Sequence, residues 1–208
     1  MSGNEQDSSL AKVLLGLTVA TGLIDAVSFL ALGHVFTANM TGNVVFLAFA
    51  LVGAPGLSAP RSAVSLIAFL GGAAVGGRLA MRLGAGPQHR WVATAFTTEA
   101  VLLVCAAVAA ASGTNGAVWA VYVIIVLTAL AMGLRNATVR QLAVPDLTTT
   151  VLTLTLTGLA ADSSFAGGTN PRALRRGVSV LSMFVGAAVG AALVRHSLAL
   201  PLVISGVV

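Results

Sequence analysis

The sequence predicts an all-α polytopic membrane protein with about five to seven membrane segments, built from two three-element repeats on either side of a central span. Of the 208 residues, 57% are hydrophobic and only 8% are charged, whereas soluble domains carry roughly a quarter charged residues. A helix rises about 1.5 Å per residue, so stretches of about 20 apolar residues match the roughly 30 Å hydrocarbon core of a bilayer. Five stretches have this apolar character: 13–33, 62–77, 91–112, 117–134 and 177–194.

The first part of the chain divides into a polar tail and the first repeat. Residues 1–10 predict a disordered cytoplasmic tail, and without the basic region of a signal peptide the helix that follows is expected to stay as an uncleaved anchor. The first repeat covers 11–83. It consists of a helix to about residue 33, a shorter helix ending near Val52, and a helix from Pro60 to Leu83 after the turn-rich GAPGLSAP.

The rest of the chain contains the central span and the second repeat. Residues 84–116 hold a loop and the central span. The second repeat covers 117–195, with a long helix to about residue 143, the threonine-rich VPDLTTTVLTLTLTGLAAD, a Gly/Asn/Pro loop and a last helix. Residues 196–208 form a short apolar segment of about half a span, which either packs against the bundle or begins a further element. All of these segments belong to a single membrane domain.

Three pairs of matching motifs indicate the internal repeat. GLIDA at 22–26 matches GLRNA at 133–137, the PR dipeptide at 60 matches that at 171, and GAAVGG at 72–77 matches GAAVGA at 186–191. The pairs occur in the same order with offsets of 111 to 114 residues. Such self-similarity is the signature of a duplicated structural unit. In this register Thr41 aligns with Thr153.

Two topologies remain open. If the polar stretches and their short helices, over residues 35–52 and 146–162, cross the membrane, there are seven spans, and the basic residues divide five against six between the two sides. If each stretch dips in and returns, there are five spans, and only Arg61 and Arg195 oppose the other nine basic residues. The second arrangement satisfies the positive-inside rule. It also makes the halves antiparallel, as in the inverted repeats of many transporters, and the sequence favours it.

The two polar stretches hold the predicted site. Irregular backbone is tolerated inside a membrane only where it is buried in protein or lines a cavity. In HVFTANMTGN the Asn and Thr residues predict a helix start near residues 39–41. If both short helices begin near the midplane, their free N–H groups meet and bind a polar or anionic solute. The candidate binding residues are Asn39, Thr41, Gly42, Asn43, Arg135, Asn136, Thr149, Thr153 and Thr155. The alternative is that these side chains only join helices by hydrogen bonds.

Three ionisable residues lie within apolar segments: Asp25, Glu99 and Arg135. Charges inside a membrane are costly and usually face a cavity or a partner. Asp25 aligns with Asn136, a neutral isostere, and this asymmetry suits proton coupling, for which Asp25 and Glu99 are the candidates. The alternative is a structural ion pair between Arg135 and either carboxylate. No enzyme motif or metal-ligand spacing is present, so we expect no enzyme, no cofactor and no metal.

The stretch TGLIDAVSFLALGHVFTANMTGNVVFLAFAL at 21–51 closely resembles the YoaK-like family of uncharacterised bacterial membrane proteins. GLRNATVRQLAVPDLTTTVLTLTLTGLAAD at 133–162 is similar to that family's second motif. The chain departs from the family in two places, because the family usually has Gln where Arg135 stands and Gly where Leu154 stands. The resemblance implies a multi-pass protein of the bacterial plasma (inner) membrane, without an established activity. An extended piece leading into a short helix, twice per fold, is also similar to the uracil and sulfate permeases, by analogy of fold alone.

These observations predict a transporter or channel for a small polar or anionic solute, with proton coupling at Asp25 or Glu99. The predicted partners are the lipid bilayer, the solute and a second copy in a homodimer. Nucleic acid is excluded, since the basic residues that give the net charge of +5 flank apolar segments. Two alternatives stay open. One is a scaffold protein that transports nothing, and the other is an intramembrane hydrolase using Asp25, Glu99 and a Ser.

Overall fold

The computed structural model describes residues 3–84, 87–112, 117–142 and 152–208. Within these ranges the regular secondary structure is helical, which confirms the predicted all-α class. Ser164–Ala166 form a short 3₁₀ turn. The α-helices of the described ranges are α1 Gly3–Ala31, α2 Met40–Leu51, α3 Ala59–Leu83, α4 Gln88–Ala111, α5 Val118–Leu142, α6 Leu152–Ala161, α7 Ala173–Val194 and α8 Ala199–Val207.

Five of these helices are long and apolar enough to cross a membrane. They coincide with the five apolar stretches of the sequence and run over Lys12–Ala31, Ala59–Leu83, His89–Ala111, Val118–Leu142 and Ala173–Val194. α2 and α6 are apolar but shorter. Large apolar side chains such as Leu70, Val108 and Phe184 are mostly exposed on the outer faces of the long helices. The protein is therefore a multi-pass helical membrane protein with lipid around these faces.

α1 begins at Gly3, inside the segment 1–10 for which the sequence predicts a disordered tail. Pro and Gly are absent from residues 4–15, so no residue in this stretch breaks the helix. The helix of the first span therefore continues back into the polar segment.

The third helix of each predicted repeat packs on the first helix of the other. The most extensive contacts in the bundle join α3 to α5 and α1 to α7, and α4 lies against α5 and α8. α8 also contacts α1, and it buries Leu202 and Ser205. Residues 196–208 thus contain a helix that packs against the bundle.

Glycines allow both of these helix pairs to approach closely. A Cβ on Gly72 of α3 would lie 2.1 Å from the carbonyl oxygen of Leu130, and one on Gly133 of α5 would lie 2.1 Å from that of Phe69. A side chain does not fit at either place, so the backbones pass at the distance that small residues permit.

The α1–α7 pair shows the same arrangement. A Cβ on Gly186 would lie 2.1 Å from the carbonyl oxygen of Val19, and one on Gly22 would lie 2.5 Å from that of Met183. The sequence register aligns Gly22 with Gly133 and Gly72 with Gly186. Both crossings are thus made by residues at aligned positions.

The two ends of the segment around α2 lie together. The Nδ1 atom of His34 is 3.1 Å from the carbonyl oxygen of Gly56, and the Arg61 side chain lies against Gly33. The chain leaves the end of α1, runs through residues 35–39 and α2, and comes back to the start of α3 beside its point of departure.

Substitution of Gly72 or Gly186 by Ala is expected to destabilise the protein by about 1–3 kcal/mol, because the added methyl group overlaps a backbone carbonyl. The matched controls are Gly77→Ala on α3 and Gly177→Ala on α7, where a Cβ meets nothing within 4 Å. Thermal unfolding of the purified protein in detergent measures the difference. Equal unfolding midpoints for Gly72→Ala and Gly77→Ala would contradict the crossing described above.

Candidate functional site

The irregular stretch before α2 is fixed by Asn43. The Phe36 N–H donates to Oδ1 of Asn43 at 2.9 Å, and Nδ2 of Asn43 donates to the Phe36 carbonyl at 2.5 Å and to Ser65 Oγ at 3.1 Å. The Ser65 hydroxyl also donates to the Phe36 carbonyl. Asn43 and Ser65 are fully buried. One amide thus satisfies both backbone groups of a residue that has no helix to do so.

Aromatic rings pack around the same stretch. Phe36 stacks on Phe29 and on Phe46, with centroid distances of 5.2 and 5.7 Å, and Phe29 meets His34 edge to face. The Phe36 ring also contacts Gly42, where a Cβ would come within 2.7 Å of it. These contacts hold the extended residues between α1 and the start of α2.

α2 begins at Met40, close to the predicted start. Asn39 is its N-cap, and its side-chain oxygen accepts the Gly42 N–H at 3.4 Å. The Asn and Thr residues that end the extended stretch are good caps and poor helix interior residues, which explains the position of the start.

A cavity of about 250 Å³ lies beside the starts of both short helices. Thr21 and Met183, which line it, stand near the middle of the candidate spans Lys12–Ala31 and Ala173–Val194. The cavity is therefore at half the depth of α1 and α7. Its lining consists of Thr21, Asp25, Ala38, Asn39, Thr41, Gly42, Leu152, Thr153 and Met183.

Asp25 is the ionisable residue among the described residues of this lining. Its side chain is buried, with 7% exposure, and the backbone N–H of Ala38 donates to its carboxyl group. The Oδ1 atom has no hydrogen-bond partner in the described part of the chain. Asp25 therefore brings a buried carboxyl oxygen with an unused acceptor position to the lining of a cavity, where the other described polar side chains are Thr and Asn.

The structure divides the polar residues of the two short helices into two groups. Asn39, Thr41 and Thr153 are exposed and line the cavity, whereas Asn43 and Thr155 are buried. Residues two apart on a helix point to different sides. The sequence prediction placed both groups at the site, and the structure brings only the first group to the cavity, together with Gly42 and Asp25.

Arg135 is paired with Glu99, one of the two carboxylates that the sequence left open. Its Nε donates to Oε1 of Glu99 at 2.7 Å, and a terminal nitrogen contacts the same oxygen. Nη1 donates to the Leu17 carbonyl at 2.9 Å and to the Thr21 hydroxyl at 3.1 Å. Arg135 and Glu99 are 1% and 3% exposed. This pair ties α1, α4 and α5 together in the interior of the bundle.

A second cavity, of about 320 Å³, is lined by both members of this ion pair. Oε2 of Glu99 has no hydrogen-bond partner within the described ranges. The lining is mostly apolar and consists of Val13, Leu17, Phe96, Thr97, Glu99, Ala100, Arg135, Ser205, Gly206, Val207 and Val208.

The remaining predicted site residues lie elsewhere. Arg135 is absent from the lining of the first cavity, and its charge is balanced by Glu99. Asn136 Nδ2 donates to the Met132 carbonyl at 2.8 Å. Thr149 is outside the described residues. Within the described ranges, no cluster of three His, Cys, Asp or Glu residues is placed to hold a metal ion.

The sequence prediction omitted Thr21, which lines the first cavity and also accepts a hydrogen bond from Arg135. A signal for it was present, because Thr21 is four residues before Asp25 and residues at this spacing share a helix face. Met183 and Leu152 gave no such signal, since each is one apolar residue among many.

Comparison with known proteins identifies relatives but no activity. A family model described as Protein of unknown function (DUF1275) matches residues 13–208. The chain is 32% identical over 151 residues to the UPF0700 transmembrane protein YoaK of Bacillus subtilis (strain 168). That alignment covers 71% of this chain and 64% of the relative, so the match spans less than two thirds of the relative's length. No solved structure matches significantly.

Substitution of Asn43 by Ala is expected to cost at least about 2 kcal/mol of stability, because it leaves the buried Phe36 N–H without a partner. Substitution of Ser65 by Ala should cost about 1 kcal/mol or less, because the Phe36 carbonyl keeps the Asn43 amide. Thermal unfolding in detergent measures both. A loss for Ser65→Ala that equals or exceeds the loss for Asn43→Ala would show that Asn43 is not the anchor.

Proposed function

The chain belongs to the family of proteins of unknown function DUF1275, and we propose that it is a transporter or channel for a small polar solute that binds in the first cavity. The proposal places it in the bacterial plasma membrane, in keeping with its bacterial transmembrane relative. The observation that carries the proposal is the meeting of the first residues of α2 and α6 in one cavity with Asp25.

The position and polarity of the cavity support solute binding. The first N–H groups of a helix have no partner inside the helix and carry the positive end of its dipole. Such groups attract the oxygen atoms of a solute, and the Thr41 and Thr153 hydroxyls add adaptable donors and acceptors. A site at mid-depth between two short helices is the arrangement found in many secondary transporters.

The ionisable side chains of the cavity lining limit which solutes can bind there. Arg135 is paired with Glu99 outside the first cavity, so the described residues of the lining supply the carboxyl group of Asp25 and no basic side chain. An uncharged polar solute is therefore the favoured cargo. An anionic solute would be accepted only with a proton on Asp25, which would couple its movement to that of a proton.

An inverted repeat with re-entrant short helices is part of the proposal. The aligned glycines of the α3–α5 and α1–α7 crossings support a two-fold relation between the halves. The contact between His34 and Gly56 supports re-entry of α2, because both ends of that segment then lie on one side of the membrane. Two opposed halves around one site are suited to exposing it to each side in turn.

The second candidate is a membrane scaffold in which the Thr and Asn residues only hold helices together. The buried contacts of Asn43 favour that interpretation for one residue. For Thr41 and Thr153 the geometry favours the solute site, because within the described part of the chain neither hydroxyl makes a hydrogen bond and both face the cavity.

Cysteine labelling tests access to the cavity. In a Cys105→Ser background, Thr41→Cys and Thr153→Cys should react with a small charged methanethiosulfonate reagent in intact membranes, because both positions line the cavity. Ser65→Cys is the control, and it should stay unreactive because Ser65 is fully buried. If positions 41 and 153 are as unreactive as position 65 from both sides of the membrane, water does not reach the cavity and the proposal fails.

Solute flux separates the transporter from the scaffold. Proteoliposomes should swell faster than protein-free vesicles in gradients of glycerol, urea or formate, and Thr41→Val combined with Thr153→Val should slow this at least about tenfold, the effect of roughly 1.4 kcal/mol. The unfolding midpoint should change little, because neither hydroxyl is bonded to a described residue. A lower midpoint with unchanged swelling would support the scaffold instead.

A further inference from the structure

We propose that Asp25, Glu99 and Arg135 form a triad that binds one proton, in which Arg135 is the counter-ion of either carboxylate and the other carboxyl group holds the proton. The inference deepens the proposed function, on which it rests for its role in coupling. Its geometry and its test need no solute.

The triad contributes residues to the linings of both cavities. Arg135 donates to Glu99 on one side and to the Thr21 hydroxyl on the other. Thr21 and Asp25 are one helical turn apart on the same face of α1, and both line the first cavity. Glu99 lines the second cavity. One guanidinium group is therefore hydrogen-bonded to a residue of each lining, and each lining contains one of the two carboxyl groups.

Charge balance requires one proton within the triad. Asp25, Glu99 and Arg135 are at least nine-tenths buried. With both carboxyl groups ionised, one guanidinium would face two negative charges, and one charge would remain unbalanced in a medium of low dielectric constant. A buried charge without a partner costs several kcal/mol, whereas a protonated carboxyl group does not. In the arrangement observed, Glu99 has the guanidinium and Asp25 has none, so Asp25 holds the proton.

Among the described residues, the neighbouring helices add no ionisable side chain to the two linings beyond those of Asp25, Glu99 and Arg135. The polar side chains that the linings do contain are, by helix, Thr21 of α1, Thr41 of α2 with its cap Asn39, Thr97 of α4, Thr153 of α6 and Ser205 of α8, while α7 contributes Met183.

The carboxyl oxygens without a hydrogen-bond partner are the atoms that accept and release the proton. Oε2 of Glu99 and Oδ1 of Asp25 each lack a hydrogen-bond partner among the described residues. A proton that reaches Glu99 from the second cavity cancels its charge and releases Arg135. The guanidinium then turns past Thr21 to Asp25, which gives its proton to the first cavity. One proton enters as one leaves, so the charge of the triad is unchanged in both states.

Infrared spectroscopy of the purified protein in lipid tests the inference through the C=O stretching band of protonated carboxyl groups. At neutral pH the wild type should show one such band from the protein interior, and Asp25→Asn should remove it. Glu99→Gln should also remove it, because the freed Arg135 then pairs with Asp25 and Asp25 ionises. A structural ion pair alone predicts that Glu99→Gln leaves the Asp25 band in place, and that result overturns the proposal.

Two further variants keep the test decisive. Arg135→Gln should double the band, because neither carboxylate then has a counter-ion. Asp25→Asn is nearly isosteric and removes no ion pair, so it should fold with the wild-type unfolding midpoint even if the other variants do not. A band that persists in Asp25→Asn overturns the proposal on its own. If the infrared bands behave as predicted but proteoliposomes show no solute flux, the transport function is rejected and the triad is supported.

Discussion

In a membrane, the chain has to satisfy every backbone N–H and C=O group from within the protein, and the residues between α1 and α2 meet this constraint with side chains. A helix pairs its backbone N–H and C=O groups with each other, so a helical span needs only sufficient length and apolar side chains. Residues 35–39 have no helix, and the buried Asn43 amide and Ser65 hydroxyl serve the backbone of Phe36 instead. This fixes where α2 begins and lets its first turn face an open space. Because the backbone of Phe36 makes its hydrogen bonds with Asn43 and Ser65, the first turn of α2 can line the cavity.

The same constraint explains why neighbouring polar residues have different roles. Thr41 and Asn43 are two residues apart, and the helix that carries them places one toward the cavity and the other toward α3. In α6, Thr153 is likewise exposed and Thr155 is buried. The two interpretations that the sequence offered, helix packing and a binding site, therefore apply to different residues. Each polar stretch supplies one buried residue and one that lines the cavity.

What the sequence could predict depends on how local the physical cause is. The five spans follow from apolarity and length, and the start of α2 follows from the capping chemistry of Asn39. The partner of Arg135 could not be predicted, because both Asp25 and Glu99 are within apolar helices and only packing selects between them. Asn43 looked like a ligand because it stands among ligand candidates, and only the tertiary contact with Ser65 reveals its role. Thr21 was missed although its spacing from Asp25 indicated a shared face.

The packing of α1 on α7 has a consequence for how the protein is made. α1 packs mainly on α7, and the whole of residues 32–172 is synthesised between them. During that time the face of α1 around Val19 and Gly22 has no partner helix, because Met183 and Gly186, which pack on it, are synthesised later. The Thr21 hydroxyl of the same helix has to wait for Arg135. Until both partners are made, lipid or the insertion machinery has to cover this part of the nascent chain.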